Sequence, residues 1–276
     1  MKIIADTATL FAPCEGERED ITIVPVCVTI NDRTYKDYAE ISSEEFLQMI
    51  EAGGVPTSSQ PAVGDMLDVY ESCDEEMLVL TVGDGLSGAY RTAVGARNCA
   101  EGKERIHVIN SKTLAGPLRY LAKKAVELKR RGLGIHEIKR ELDVCIESSM
   151  SFVIPEDFDF LKRSGRLTAI TAKVGGMLKL LPVLTQTEDK KRIKPIGVKR
   201  TWKAAVEVVI DQMRSHAVNE DYLISVCHTG THDRAEAVLR QIKSVFPRAK
   251  TEILTLSPAL ITHGGPGCIV VQAVRM

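Results

Sequence analysis

The sequence predicts an α/β protein of two domains, residues 1–156 and 157–276. Three observations predict it. Apolar, β-branched runs alternate with amphipathic stretches along most of the chain, the pattern of strands separated by helices and of a parallel sheet covered on both faces. A length of 276 residues holds two ordinary domains with a real core. The texture then changes at Pro155-Glu156-Asp157, where alternation gives way to the compact basic segment Leu161–Leu167 and the almost wholly apolar Val174–Leu184.

The elements follow in order. Lys2–Ala5 and Ile23–Ile30 are β-branched and read as strands. Ser42 and Glu45 form a capping box, Phe46, Met49 and Ile50 the apolar stripe of the helix it opens, and Gly53 its end. Pro61–Ser72 reads as a second helix, with Pro61 tolerated in the first turn. Met77–Val82 is a strand, Ser87–Cys99 a helix and Ile106–Ile109 a strand. Leu114–Arg131 is a long helix whose basic last residues complement its dipole before Gly132 stops it. Ile135–Ser148 is a helix and Ser151–Ile154 a strand that closes the first domain. In the second domain Lys190-Lys191-Arg192 reads as a hairpin tip, Trp202–His216 and Arg234–Phe246 as helices, and Tyr222–Cys227, Thr251–Leu256 and Ile269–Val274 as strands.

Composition excludes several classes. With 44% hydrophobic and 26% charged residues the chain is that of a soluble globular protein, and a formal net charge of −1 gives no reason to expect nucleic-acid binding. No apolar run is long enough to span a bilayer, and the amino terminus lacks the regions of a secretory signal. The seven cysteines form no C-x-x-C pair, so neither structural zinc nor a disulfide framework is expected, and a reducing cytoplasm is the simplest compartment.

The segment Val82-Gly83-Asp84-Gly85-Leu86-Ser87-Gly88-Ala89-Tyr90 admits three readings. Its G-x-G-x-x-G spacing fits a dinucleotide turn, but that turn needs an acidic residue ~20 residues on. The next strand ends in Asn110-Ser111-Lys112 instead. Gly85–Ala89 also approaches a nucleophile elbow, with Asp233 and His263 following Ser87 in the order Ser, Asp, His. However, no carboxylate near His263 is placed to orient it. The third reading is anion binding by unsatisfied amides and a hydroxyl at a helix start, against the plainer one of a simple N-cap. Pro56-Thr57-Ser58-Ser59-Gln60-Pro61 puts three more hydroxyls before another expected helix. Two hydroxyl-rich helix starts at one sheet edge favour a carboxylate or a phosphate.

Four segments stand in order: PTSSQP at 56–61, LSGAY at 86–90, LKRSGRL at 161–167 and THGGPG at 262–267. With the Asp6-Thr7 start and Leu180–Leu184, they resemble the DegV family of bacterial fatty-acid-binding proteins along the whole chain. The resemblance implies an amino-terminal parallel sheet flanked by helices, a second α/β domain with a mixed sheet, and one long-chain fatty acid enclosed between them. It places the carboxylate at Ser58, Ser59, Ser87, Arg166 and His263, with close backbone approach at Gly88, Gly165, Gly264, Gly265 and Gly267. It also implies a partner, an ATP-dependent fatty acid kinase making acyl phosphate for phospholipid synthesis. The sequence departs from the family pattern at Ser58 and Ala89 (both threonine in the family), Ser164 (glycine) and Asn110 (aspartate).

On this reading the chain is a lipid-binding subunit with no catalytic residue, no metal and no cofactor. The alternative is a serine hydrolase of acyl esters with Ser87 as nucleophile. The three serines donate to the carboxylate while Arg166 and His263 tune its charge, the guanidinium fork matching carboxylate geometry. Gly175-Gly176-Met177-Leu178 through Leu184 line the tail's tunnel or form a buried core strand. His228 and His232 stand at i, i+4 but lack a third metal ligand. The basic cluster from Lys190 to Lys203 is a solvated hairpin or a surface for transient contact with a membrane or partner.

Overall fold

The computed structural model describes residues 1–168 and 180–276. The first half runs β1 (Lys2–Asp6), α1 (Pro13–Arg18), β2 (Ile21–Val24), β3 (Cys27–Ile30), β4 (Arg33–Lys36), α2 (Ser43–Glu51), β5 (Thr57–Ser59) and α3 (Val63–Glu71). It continues with β6 (Met77–Thr81), α4 (Ala89–Cys99), β7 (Ile106–Asn110), α5 (Ala115–Arg130) and α6 (Ile135–Ser148). The strands order as β2-β1-β6-β7, all parallel. Every residue of β6 is buried, as a central strand covered on both faces requires. Alternation along the strands sorts the two faces. Ile3, Leu78 and Leu80 pack with Leu118, Leu121 and Ala125 of α5, whereas Ile4, Met77 and Val79 pack with Met66 and Tyr70 of α3 and Ala93 of α4.

The second half comprises β8 (Met150–Ile154), α7 (Phe158–Ser164), β9 (Leu181–Gln186), β10 (Ile193–Lys199), α8 (Trp202–Ser215), β11 (Tyr222–His228), α9 (His232–Val245), β12 (Lys250–Thr255), α10 (Pro258–Gly264) and β13 (Ile269–Arg275). Its sheet is mixed, in the order β10-β9-β8-β13-β11-β12, with β11 and β12 parallel and the other pairs antiparallel. A core of Val206, Val209, Ile210, Val238 and Ile242 from α8 and α9 covers one face.

Three expectations are corrected. The strand at Ser151–Ile154 belongs to the second sheet, pairing with β13 and β9, so the chain changes sheets before Pro155. The run Ile23–Ile30 is not one strand: Pro25, which has no N–H to offer a ladder, divides it into β2 and β3 of different sheets. Pro56–Gln60 is no helix start, because Thr57–Ser59 is itself a strand, and α3 begins only at Val63. That strand, β5, joins β3 and β4 in a small antiparallel sheet.

The halves are fastened at α5. A Cβ on Gly116 would overlap Ser225 Oγ of β11, so helix and sheet meet without a side chain between them. The buried Gln272 of β13 accepts from Gly116 N (3.1 Å) and donates to Leu114 O (3.0 Å) and Ser151 Oγ (2.8 Å). Among the described residues no helix is long and apolar enough to cross a membrane.

Candidate functional site

The loop between β6 and α4 is held from several sides. The buried Asp6 accepts from Val82 N (2.9 Å) and Ala8 N (3.0 Å), and its burial pushes the carboxyl up to about 6. Asn110 Oδ1 accepts from Asp84 N (3.0 Å) and Lys112 N (3.1 Å). The amide of Asn110 thus fixes the loop without adding a charge. Gly85 has φ +91°, and a Cβ there would come within 2.7 Å of Lys191 Cβ at the β9–β10 turn. So braced, the loop places Ser87 just ahead of α4, where its Oγ accepts from Ala89 N (3.2 Å).

Ser58 lies at the centre of β5, paired with Val28, and its Oγ is 2.9 Å from His263 Nε2 in the last turn of α10. Ser59, its neighbour on the strand, is exposed at the rim. Burial, reinforced by the Arg166 charge, pushes His263 down to about 3, so its ring is neutral at pH 7. The sequence reading has Arg166 and His263 tune the charge of a carboxylate; at pH 7 the His263 ring brings no charge of its own. His263 Nδ1 is buried without a partner among the described residues.

Arg166 follows α7, whose C-cap is Gly165 in the left-handed region at φ +70°. Its Nε donates to Leu86 O (3.1 Å) and its Nη1 to Ser164 O. Ser164 Oγ accepts from Arg166 N (3.2 Å), so the serine in the glycine's place helps to set the arginine. Nη2 has no acceptor among the described residues. The guanidinium is anchored by two carbonyls with one edge left over.

These groups meet at a cavity of about 1110 Å³ of empty space, its open mouth included. Ser58, Ser59, Ser87, Gly88, Arg166, His263 and Gly264 all line it. The apolar walls include Val26, Val82, Leu114, Leu161, Leu256 and Val270, drawn from both halves of the chain. Gly175-Gly176-Met177-Leu178 lie outside the described residues, while Val183 and Leu184 are fully buried core of β9.

The remaining predicted residues sort by what they touch. A Cβ on Gly88 would meet Gln60 Oε1 at 2.8 Å, so this glycine admits the Gln60 side chain. Gly265 and Gly267 approach Phe160 and Glu156 rather than the cavity, and neither lines it. The hydrolase triad does not assemble. Ser87 Oγ bonds to Ala89 N, His263 Nε2 faces Ser58, and no described carboxylate reaches Nδ1. His232 Nε2 lies 3.5 Å from Glu236 Oε1, and no group of potential metal ligands occurs among the described residues. Lys190 is turned inward, donating to Ile146 O (2.6 Å), Ser149 O (2.9 Å) and Glu147 O (3.2 Å) at the end of α6. Among the polar lining residues, the sequence reading did not single out Ser151, Thr185 or Gln186, and it named Gln60 without giving it a role. Only Gln60 had a signal, its place in PTSSQP.

Fold and cavity together combine a two-domain α/β architecture with a cavity that has both hydroxyl-rich and apolar lining. The profile described as "Uncharacterised protein, DegV family" matches residues 1–275. The chain belongs to the DegV family. It is 28% identical over 276 residues to a DegV domain-containing protein of Clostridium acetobutylicum, covering 98% of this chain and 95% of that one. A fatty-acid-binding DegV family protein from Thermus thermophilus superposes with a TM-score of 0.89 at 25% identity, covering 100% of both chains. The DegV family protein of Ruminococcus gnavus with vaccenic acid gives a TM-score of 0.87 at 26% identity, covering 98% of each.

Proposed function

We propose that this chain binds a long-chain fatty acid in the cavity, with the carboxylate at Ser58, Ser59, Ser87 and Arg166 and the tail along the apolar walls. The observation that carries it is the cavity itself, which joins apolar walls to a group of hydroxyls beside Arg166, whose Nη2 has no acceptor among the described residues. The unpartnered Nδ1 of His263 favours the Nε2–H tautomer, because a buried orphan donor is rarer than an orphan acceptor. In that tautomer His263 donates to Ser58, and the Ser58 hydroxyl hydrogen is free to point at the carboxylate. Binding energy comes chiefly from the tail, at about 0.8 kcal/mol per buried methylene. The head group then fixes orientation.

Held so, the carboxylate lies near the open Ser87–Arg166 mouth, which supports presentation to a separate ATP-dependent fatty acid kinase and a brief contact with a membrane during exchange. The seven free cysteines suit a reducing cytoplasm. Solvent extraction of the purified protein followed by mass spectrometry tests the reading. One fatty acid per chain is expected; lipid-free protein that shows no thermal shift with added fatty acids overturns it.

A further inference from the structure

The cavity has further polar lining beyond the groups assigned to the carboxylate. It comes from Ser151 of β8 and from Thr185 and Gln186 of β9. Gln186 Nε2 donates to Lys112 O (3.0 Å) and Lys190 O (3.3 Å). Two backbone acceptors fix which end of the amide carries the hydrogens. Oε1 is therefore an acceptor, and it is buried with no partner among the described residues. Ser151 is 3% exposed; its Oγ accepts from Gln272 Nε2 (2.8 Å), and its own hydrogen has no acceptor among the described residues. Thr185 Oγ1 donates to Ser151 O (2.9 Å), tying the two strands together at this point.

Among the described residues this lining thus offers one acceptor atom without a donor and one buried hydroxyl hydrogen without an acceptor. Leaving such groups unmet is costly, and a hydrocarbon tail cannot meet either. A hydroxyl can meet both, donating to Gln186 and accepting from Ser151. A ketone oxygen accepts only, and would leave Gln186 Oε1 unmet. We propose that the cavity selects fatty acids bearing a hydroxyl on the acyl chain, recognised by Gln186 and Ser151. This rests on the fatty-acid reading above.

The test is competition binding to the delipidated full-length protein. The probes are stearic acid, hydroxystearic acids substituted near the carboxyl, at mid-chain and toward the methyl end, and the matching ketostearic acids. At least one hydroxy isomer is expected to bind roughly fivefold or more tighter than stearic acid, with no such gain for its ketone. Gln186→Leu is expected to abolish that preference while still binding stearic acid. Equal or weaker binding of every hydroxy isomer by the wild-type protein overturns the proposal, whether or not the variant folds. A preference that survives in Gln186→Leu overturns it as well. If stearic acid itself does not bind, it is the fatty-acid reading that fails.

Discussion

Arg166 and His263 sit at the same end of the cavity and carry different electrostatics. The arginine is half-buried and spends two of its donors on the carbonyls of Leu86 and Ser164. This fixes its fork before any ligand arrives, so little side-chain freedom remains to be lost on binding. Arg166→Ala removes the charged residue among the described lining of the cavity and is expected to weaken fatty-acid binding roughly 10- to 100-fold, the range for a charged hydrogen bond, by calorimetry. His263 contributes as a neutral ring. Its folded pKa of about 3 lies below the unfolded value, so the unfolded chain binds the extra proton between about pH 6.5 and 3. Stability from this residue is therefore present above that window and lost as pH falls through it, by up to about 1.4 kcal/mol per pH unit. Asp6 and Asp37 run the other way: burial raises them to about 6 and about 7, and they gain stability on acidification. Comparing the wild type with His263→Gln in denaturant titrations cancels that opposing trend. The wild type is expected to lose stability relative to the variant from pH 6.5 to pH 4.5, and parallel curves would contradict the neutral, buried ring.

At the scale of elements, the site depends on a brace between the two sheets. The β9–β10 turn reaches α6 through Lys190 and supports the Ser87 loop through the contact of Lys191 with Gly85. Gly85→Ala combines a left-handed backbone with a 2.7 Å clash, and is expected to cost about 1–3 kcal/mol and to lower fatty-acid affinity together with stability. Lys190→Met strips three carbonyls at and just past the end of α6 of their donor and is expected to cost about 1–3 kcal/mol in urea denaturation. The same change at exposed Lys199 is expected to stay within about 0.5 kcal/mol. This brace was illegible in the sequence, where Lys190-Lys191-Arg192 looks like any solvated turn. Local signals were sufficient for elements with strong periodicity or caps. The capping box of Ser42 and Glu45 forms as read, and α6 spans Ile135–Ser148 as expected. They failed where pairing is non-local. β5 is three residues of Thr and Ser whose strand character comes from β3, and β8 resembles a first-domain strand until β13 claims it. Likewise Ser58 could be picked out in PTSSQP, but its contact with His263, 205 residues away, could not.

For the whole molecule, the proposed fatty-acid binding couples ligand length to stability. The cavity walls come from the loop after β6, from β8 and β13, and from α10 and the residues before it, so a tail bound there buries surface belonging to both halves. Ligand that binds only the folded protein stabilises it by RT ln(1 + [L]/Kd), about 2.7 kcal/mol at a hundredfold excess over Kd. The carboxylate contacts are common to all saturated acids, whereas the tail contribution grows by about 0.8 kcal/mol per methylene, close to fourfold in affinity. Each methylene added to a series of saturated acids should therefore tighten binding roughly three- to fourfold until the apolar walls are filled. Beyond that length the gain should stop, because an extra methylene must either bend the tail or push the head group off Arg166. Differential scanning fluorimetry of the delipidated protein, at a fixed concentration of each acid, reads this as a rise in Tm with chain length followed by a plateau. A Tm shift independent of chain length would place the binding energy at the head group, and would mean that the apolar walls do not hold the tail.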